Sequence, residues 1–248
     1  MLKRVLVWLL VSAALLAVMI GVEIVLALRR EYLPTEPALE IGGVFGDEGP
    51  IRTLVVLGDS TSAGVGAGGA DDAYATVMAE RLARESGARV RLVGLGVSGA
   101  RVADVLEEQV PIALERYADA YLVAIGANDV THLTSLDSVS DGIGRIVKQL
   151  GAEGVPVVVA GAPDMRAPAF LEPLRSIAGM RGDAVTAATE EAARAAGAAI
   201  VPLAERTRTY FMEHREAAYS DDLFHPGPGG YERWAEAMFP EVKAALSR

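Results

Sequence analysis

The chain contains no cysteine. That excludes disulfides, thiolate metal sites and a cysteine nucleophile, and it fits either side of a membrane. Lysine is scarce too: the 23 basic residues are 20 Arg and 3 Lys, against 33 acidic residues and a net charge of −10. No basic patch stands out, so no nucleic-acid partner is expected. Histidine is limited to His132, His214 and His225. A Gly-Lys-Ser/Thr phosphate loop is missing, and there are no internal repeats. What is abundant is apolar residues, 51% of 248. That supports one domain with a well-buried core, plus something extra.

The extra is the N-terminus, residues 1–30. An apolar run from Val5 to Leu28 is broken only by Glu23. Its 24 residues would span about 36 Å as a helix, against about 30 Å of bilayer hydrocarbon. The apolar core of a cleavable signal peptide is shorter, about 7–15 residues, and "VLALRR" offers no small-x-small cleavage site. The run is apolar on all faces, unlike a helix packed on a soluble core. A membrane partner is therefore expected through residues 5–28, as an uncleaved anchor. Glu23 lies toward the far end, where a carboxyl can reach the interface. Lys3 and Arg4 precede the span, and Arg29 and Arg30 follow it. A short basic N-terminus before a long apolar run resembles a signal anchor, so the domain that follows is expected outside the cytoplasm.

Residues 31–50 carry Pro34, Pro37, Pro50 and four glycines and read as a linker. The domain follows, 51–248. Strands are expected at 51–58, 89–96, 119–126, 155–162 and 198–203. Helices are expected at 71–87, 100–117, 138–154, 181–197 and 228–247, with Pro111 kinking or splitting the second. Alternating strands and helices predict right-handed crossovers and an α/β fold. Its form is a doubly wound three-layer α/β/α sandwich on a five-stranded parallel sheet, in the flavodoxin-like order 2-1-3-4-5.

In such a sheet, ligands bind beyond the carboxyl ends of the strands. After the first strand comes Gly58-Asp59-Ser60. After the second comes "GVSGA", with Gly99. After the third comes Gly126-Ala127-Asn128-Asp129. "SDDLFHP", with Asp222 and His225, follows the fifth. These parts suit acyl transfer: Ser60 as nucleophile, His225 as general base, Asp222 orienting the imidazole, and backbone N–H groups with an amide side chain as an oxyanion hole. Asp221 is the rival orienting acid.

The four blocks Gly-Asp-Ser, an isolated Gly, Gly-x-Asn-Asp and Asp-x-x-His, in that order, resemble the SGNH (GDSL-type) hydrolases over roughly residues 52–245. The resemblance implies a serine esterase or lipase acting through an acyl-serine intermediate without metal or organic cofactor. It implies a triad of Ser60, Asp222 and His225, and an oxyanion hole of the Ser60 and Gly99 N–H groups with the Asn128 side chain. It also implies a small-molecule or lipid acyl ester as substrate. Three departures bear on pocket shape: Thr61 after the serine, "GLGVSG" without a preceding asparagine, and "DLFHP" in place of Asp-Gly-x-His-Pro. The alternatives within reach are an acyltransferase or carbohydrate O-deacetylase with the same triad, and a non-catalytic tethered scaffold.

Other residues read as structural. Asp59 and Asp129 suit turns, and His214 a solvated position. His132 suits the surface or a cleft wall. "PDMRAPAFLEPLRSIAGM" and "RTRTYFMEHREAAY" either wall an acyl pocket or simply pack. Gly64, Gly66 and Gly69 match G-x-G-x-x-G. They lie past the strand–helix turn, and "RVRLVGLG" has no acidic residue for a ribose, so they are expected to be flexible loop rather than a nucleotide site. An α/β-hydrolase elbow fails at Ser62, where it needs glycine.

Overall fold

The computed structural model describes residues 1–247. Helix α1 (Leu2–Arg29) opens the chain. Strands β1 (Gly42–Phe45), β2 (Ile51–Gly58), β3 (Arg89–Gly94), β4 (Ala120–Ala124), β5 (Val157–Ala160) and β6 (Ala199–Val201) form one sheet in the order β1-β3-β2-β4-β5-β6. The five strands from β2 onward are parallel, and taken by themselves they run 2-1-3-4-5. The sixth strand was not anticipated. β1 lies inside the stretch expected as linker and pairs antiparallel with β3 at the sheet edge. Its two glycines and the surrounding prolines mask a strand whose partners are wholly tertiary. Ile41, just before it, is buried in the core.

Two helical layers cover the sheet. On one face, α2 (Tyr74–Ser86), α8 (Leu203–Glu213) and α10 (Pro228–Leu246) share a core with Leu54, Val56 and Leu122. On the other, α6 (Leu136–Leu150) and α7 (Leu174–Ala195) pack with Val55, Leu57 and Val123. Central strands buried on both faces explain the continuous apolar runs of β2, β4 and β5. In α6 the inward stripe is Val139, Ile143, Ile146, Val147 and Leu150, at helical spacing. Ser135 caps that helix by accepting the Ser138 N–H at 3.1 Å.

The helix expected at 100–117 is divided just before Pro111. α3 (Val102–Asp104) runs into a π-helical turn (Val105–Gln109), which delivers Pro111 to the first turn of α4 (Val110–Leu114). There its missing N–H costs nothing. α5 (Ala127–Thr131) follows β4 directly. The segment 206–219 becomes the end of α8 and α9 (Arg215–Ala218), with Phe211 in the core.

α7 starts seven residues before the expected 181. Two glycines inside it obscured the pattern, and both are set by close packing. A Cβ on Gly179 would lie 2.4 Å from Arg166 Cγ, and one on Gly182 would lie 2.8 Å from Met165 Cγ. Its N-terminus is held from outside: Glu23 of α1 accepts the Leu174 N–H at 2.9 Å. A carboxylate there answers an orphan donor and the positive end of the helix dipole. Glu23 is accordingly buried rather than reaching solvent. α1 is otherwise exposed. Its Lys3–Arg29 stretch has a mean hydropathy of 2.8 and, among the described residues, is the one helix long and apolar enough to cross a membrane.

Candidate active site

Ser60 stands two residues beyond β2 and is buried. The turn that presents it is packed too closely for side chains. A Cβ on Gly58 would fall 2.2 Å from both the Ala124 carbonyl oxygen and Ser62 Oγ. Gln109, the last residue of the π turn, reaches across to clamp Gly58 at both ends of its peptide. Its Oε1 accepts the Gly58 N–H at 2.9 Å, and its Nε2 donates to the Gly58 carbonyl at 2.8 Å. Asp59 folds back on the turn, where its Oδ1 accepts the Thr61 N–H at 3.0 Å and the Thr61 hydroxyl at 2.8 Å. Burial pushes the Asp59 carboxyl above its ordinary value, and the two Thr61 hydrogen bonds offset this only in part.

The loop before α10 brings His225 to Ser60. His225 Nε2 lies 3.0 Å from Ser60 Oγ, and His225 Nδ1 lies 2.6 Å from Asp222 Oδ2. A carboxylate only accepts, so the Nδ1 proton faces Asp222 and Nε2 is left to accept the Ser60 hydroxyl. Asp222 is buried and amply supplied with donors. Its Oδ1 accepts the Ser220 hydroxyl and the Phe224 and His225 N–H groups, each at 2.9 Å. Burial alone would raise its carboxyl. The His225 ring and the two backbone donors outweigh burial and hold it well below the usual carboxylate range. Asp221 is exposed and makes no contact with the ring.

The segment after α1 takes part in this loop. Arg30 Nε donates to the Asp222 carbonyl at 3.1 Å, and the Leu33 N–H donates to Asp222 Oδ2 at 3.3 Å. The Tyr32 ring stands edge-on to Phe224 at 5.4 Å, with Phe170 against Phe224 at 5.7 Å. The glycine run, expected to be flexible loop, is closely packed at Gly66 and open at Gly69. A Cβ on Gly66 (φ +95°) would fall 2.3 Å from the Pro226 carbonyl oxygen and 3.1 Å from His225 Cβ. A cavity of about 840 Å³ lies between Leu33–Leu39 on one side and Gly64–Gly68 and Gly96–Ser98 on the other.

Two further loops complete the end of the sheet. Gly99 (φ +84°) is exposed, and nothing would touch a Cβ there. Neither its N–H nor that of Ser60 has an acceptor among the described residues. Asn128 Nδ2 donates to the Ala100 carbonyl at 3.0 Å, which occupies one of its two amide hydrogens. Asp129 ties the same loop to α3 by accepting the Val102 N–H at 3.0 Å. His132 is exposed, with Nδ1 2.9 Å from the Asn128 carbonyl oxygen, and His214 is exposed against Tyr210. Met165 and Phe170 are buried, whereas Leu171 and Met180 are exposed. Leu133 (φ +54°) and Leu223 (φ +58°) are left-handed, a conformation that costs a side-chain-bearing residue about 1–2 kcal/mol. Among the described residues no group of three or more His, Asp or Glu side chains is gathered as a metal site requires.

Gln109, Arg30 and Leu33 escaped the sequence analysis. Gln109 was legible, as a polar residue in the apolar stripe Val102, Val105, Leu106, Val110 and Ala113. The Leu33 contact is made by backbone, which carries no residue-type signal.

The comparisons fit this geometry. A family model for the GDSL-like lipase/acylhydrolases matches residues 56–233. A GDSL-like esterase of Mycobacterium tuberculosis is 31% identical over 196 residues, a match covering 78% of this chain and 62% of the relative's length. Two solved structures share the fold. TesA has a TM-score of 0.65 at 23% identity, over 79% of this chain and all of that one. A family 3 carbohydrate esterase of Clostridium thermocellum has a TM-score of 0.62 at 19% identity, over 79% of this chain and 98% of that one.

Proposed function

The chain belongs to the GDSL-like lipase/acylhydrolase family, and on that premise we propose that it is a membrane-anchored serine ester hydrolase. The hydrogen-bonded chain Ser60–His225–Asp222 carries the reading. Ser60 Oγ attacks the ester carbonyl carbon as its proton passes to His225 Nε2. Asp222, ionised and fixed, keeps the ring oriented and stabilises the imidazolium. The new oxyanion takes hydrogen bonds from the Ser60 and Gly99 N–H groups and from the remaining Asn128 amide hydrogen. Collapse breaks the carbon–oxygen bond of the ester, and the departing alkoxide takes the proton from His225. Water, deprotonated by the same nitrogen, then releases the acid and restores Ser60.

α1 supplies the anchor, with Lys3 and Arg4 on the short side and the domain outside the cytoplasm. The full chain in detergent should label with a fluorophosphonate at Ser60 and turn over p-nitrophenyl esters, and Ser60→Ala should do neither. A wild-type chain that is neither labelled nor active would sink the hydrolase reading. Release from membranes by carbonate would sink the spanning helix.

A further inference from the structure

Leu133 and Leu223 are the two non-glycine residues with positive φ among the described residues. Glycine or asparagine holds that conformation at lower cost, so nothing in the backbone calls for leucine. Both flank the site. Leu133 follows Asn128 by five residues, and Leu223 stands between Asp222 and Phe224. Leu133 is 75% exposed and Met180 70%, with Leu171, Ile177 and Leu223 partly exposed. The segments that carry these side chains are linked to one another. The Ala169 N–H donates to the Leu223 carbonyl at 3.1 Å, and Arg181 donates to the Thr134 carbonyl. An apolar rim thus runs from Leu223 through the first turns of α7 to Leu133.

The anchor sets the height of this rim. Glu23, which holds the first N–H of α7, lies six residues inside the end of α1. That is about 9 Å along the helix axis. The headgroup layer on each side of a bilayer is only about 5–8 Å deep. With α1 across a membrane and its last residues just emerging, the start of α7 therefore sits at about headgroup depth. On the other side of the rim, Arg30 ties the end of the anchor to Asp222.

We propose that Leu133, Leu171, Ile177, Met180 and Leu223 form a rim that seats on the lipid bilayer crossed by α1, so that the site draws its acyl ester from that same bilayer. The proposal rests on the hydrolase and spanning readings above. With a net charge of −10, seating draws on apolar burial and not on attraction to anionic lipid.

The absence of cysteine makes the test clean. Leu133→Cys, Met180→Cys and Tyr117→Cys each give the full chain one thiol for a nitrobenzoxadiazole label. Tyr117 is exposed just before β4, at the opposite end of the sheet from Ser60. In phosphatidylcholine–phosphatidylglycerol vesicles, nitroxide lipids should quench the labels at 133 and 180 strongly and the label at 117 hardly at all. Equal quenching at all three positions in carbonate-resistant vesicles overturns the rim. For the substrate, a Leu133→Asp/Met180→Asp chain should show a ratio of vesicle-borne long-chain ester turnover to soluble p-nitrophenyl acetate turnover lowered by roughly tenfold. An unchanged ratio overturns the bilayer source. A chain inactive on both esters but with quenched labels at 133 and 180 would sink the hydrolase reading and leave the rim standing.

Discussion

The loop that carries Ser60 and the loop that carries His225 each bury one aspartate, and the two carboxyls are treated in opposite ways. Asp59 has its two donors from a single neighbour, Thr61, both on one oxygen. Burial wins, and its carboxyl rises. Asp222 has five donors spread over both oxygens, from His225 ring and backbone, Phe224, Ser220 and Leu33. The donors win, and its carboxyl falls. Desolvation penalises both, so donor supply decides which way each carboxyl shifts. The two are not interchangeable acids around one histidine: Asp59 accepts from its own turn, and Asp222 accepts from the His225 ring.

Substitution should break that pairing unevenly. Asp222→Asn removes the acceptor for His225 Nδ1–H and favours the wrong ring tautomer, so kcat should fall about 10⁴-fold. Asp59→Asn keeps an oxygen for the Thr61 donors and should leave kcat close to wild type. Equal losses in both variants would show that Asp59 also serves the imidazole. Next in size is Asn128→Ala, which removes a proposed oxyanion donor and should lower kcat about 10²–10³-fold. Steady-state turnover of a short p-nitrophenyl ester measures all three.

The two loops also differ in how far the sequence reveals them. Ser60 is presented by a strand end and a turn whose Asp59–Thr61 contacts are local, so the motif and its place past β2 could be read directly, although the Gln109 clamp on Gly58 comes from farther along the chain. The five parallel strands were legible for a related reason, since burial on both faces leaves continuous apolar runs in β2, β4 and β5. The His225 loop showed only its Asp-x-x-His spacing. Its support comes from Arg30, Tyr32 and Leu33, nearly two hundred residues away, in a stretch that prolines and glycines mark as linker. β1 and the early start of α7 were hidden in the same way, by partners remote in sequence.

That remote support offers a smaller way to break the comparison. Leu33→Pro deletes the N–H that reaches Asp222 Oδ2, whereas Leu33→Ala keeps it. Losing one hydrogen bond to a charged group should lower kcat by about tenfold in the proline variant. KM for a short soluble ester should hold, because Leu33 meets the acid and not the ester. The alanine variant should follow wild type. A proline variant at full kcat would show that the His225 loop holds Asp222 without the segment after α1.

The smallest effect is on stability, and its sign separates the two aspartates. A depressed folded pKa, as at Asp222, adds stability that is fully present above the unfolded value of about 3.9 and is lost only as pH falls through the lower folded value. A raised folded pKa, as at Asp59, does the reverse. Stability is highest when the carboxyl is protonated and declines as pH climbs from about 3.9 through the raised value. Asp222→Asn should therefore lower Tm at neutral pH and keep that deficit at pH about 5. Asp59→Asn should raise Tm at neutral pH by removing a buried charge, and the gain should shrink as the medium is acidified toward about pH 4. Thermal unfolding of the full chain in detergent across that range measures both. A gain for Asp59→Asn that does not change with pH would mean that the carboxyl ionises alike in the folded and the unfolded chain. The Thr61 donors would then cancel burial, and the contrast with Asp222 would shrink to the lowered carboxyl alone.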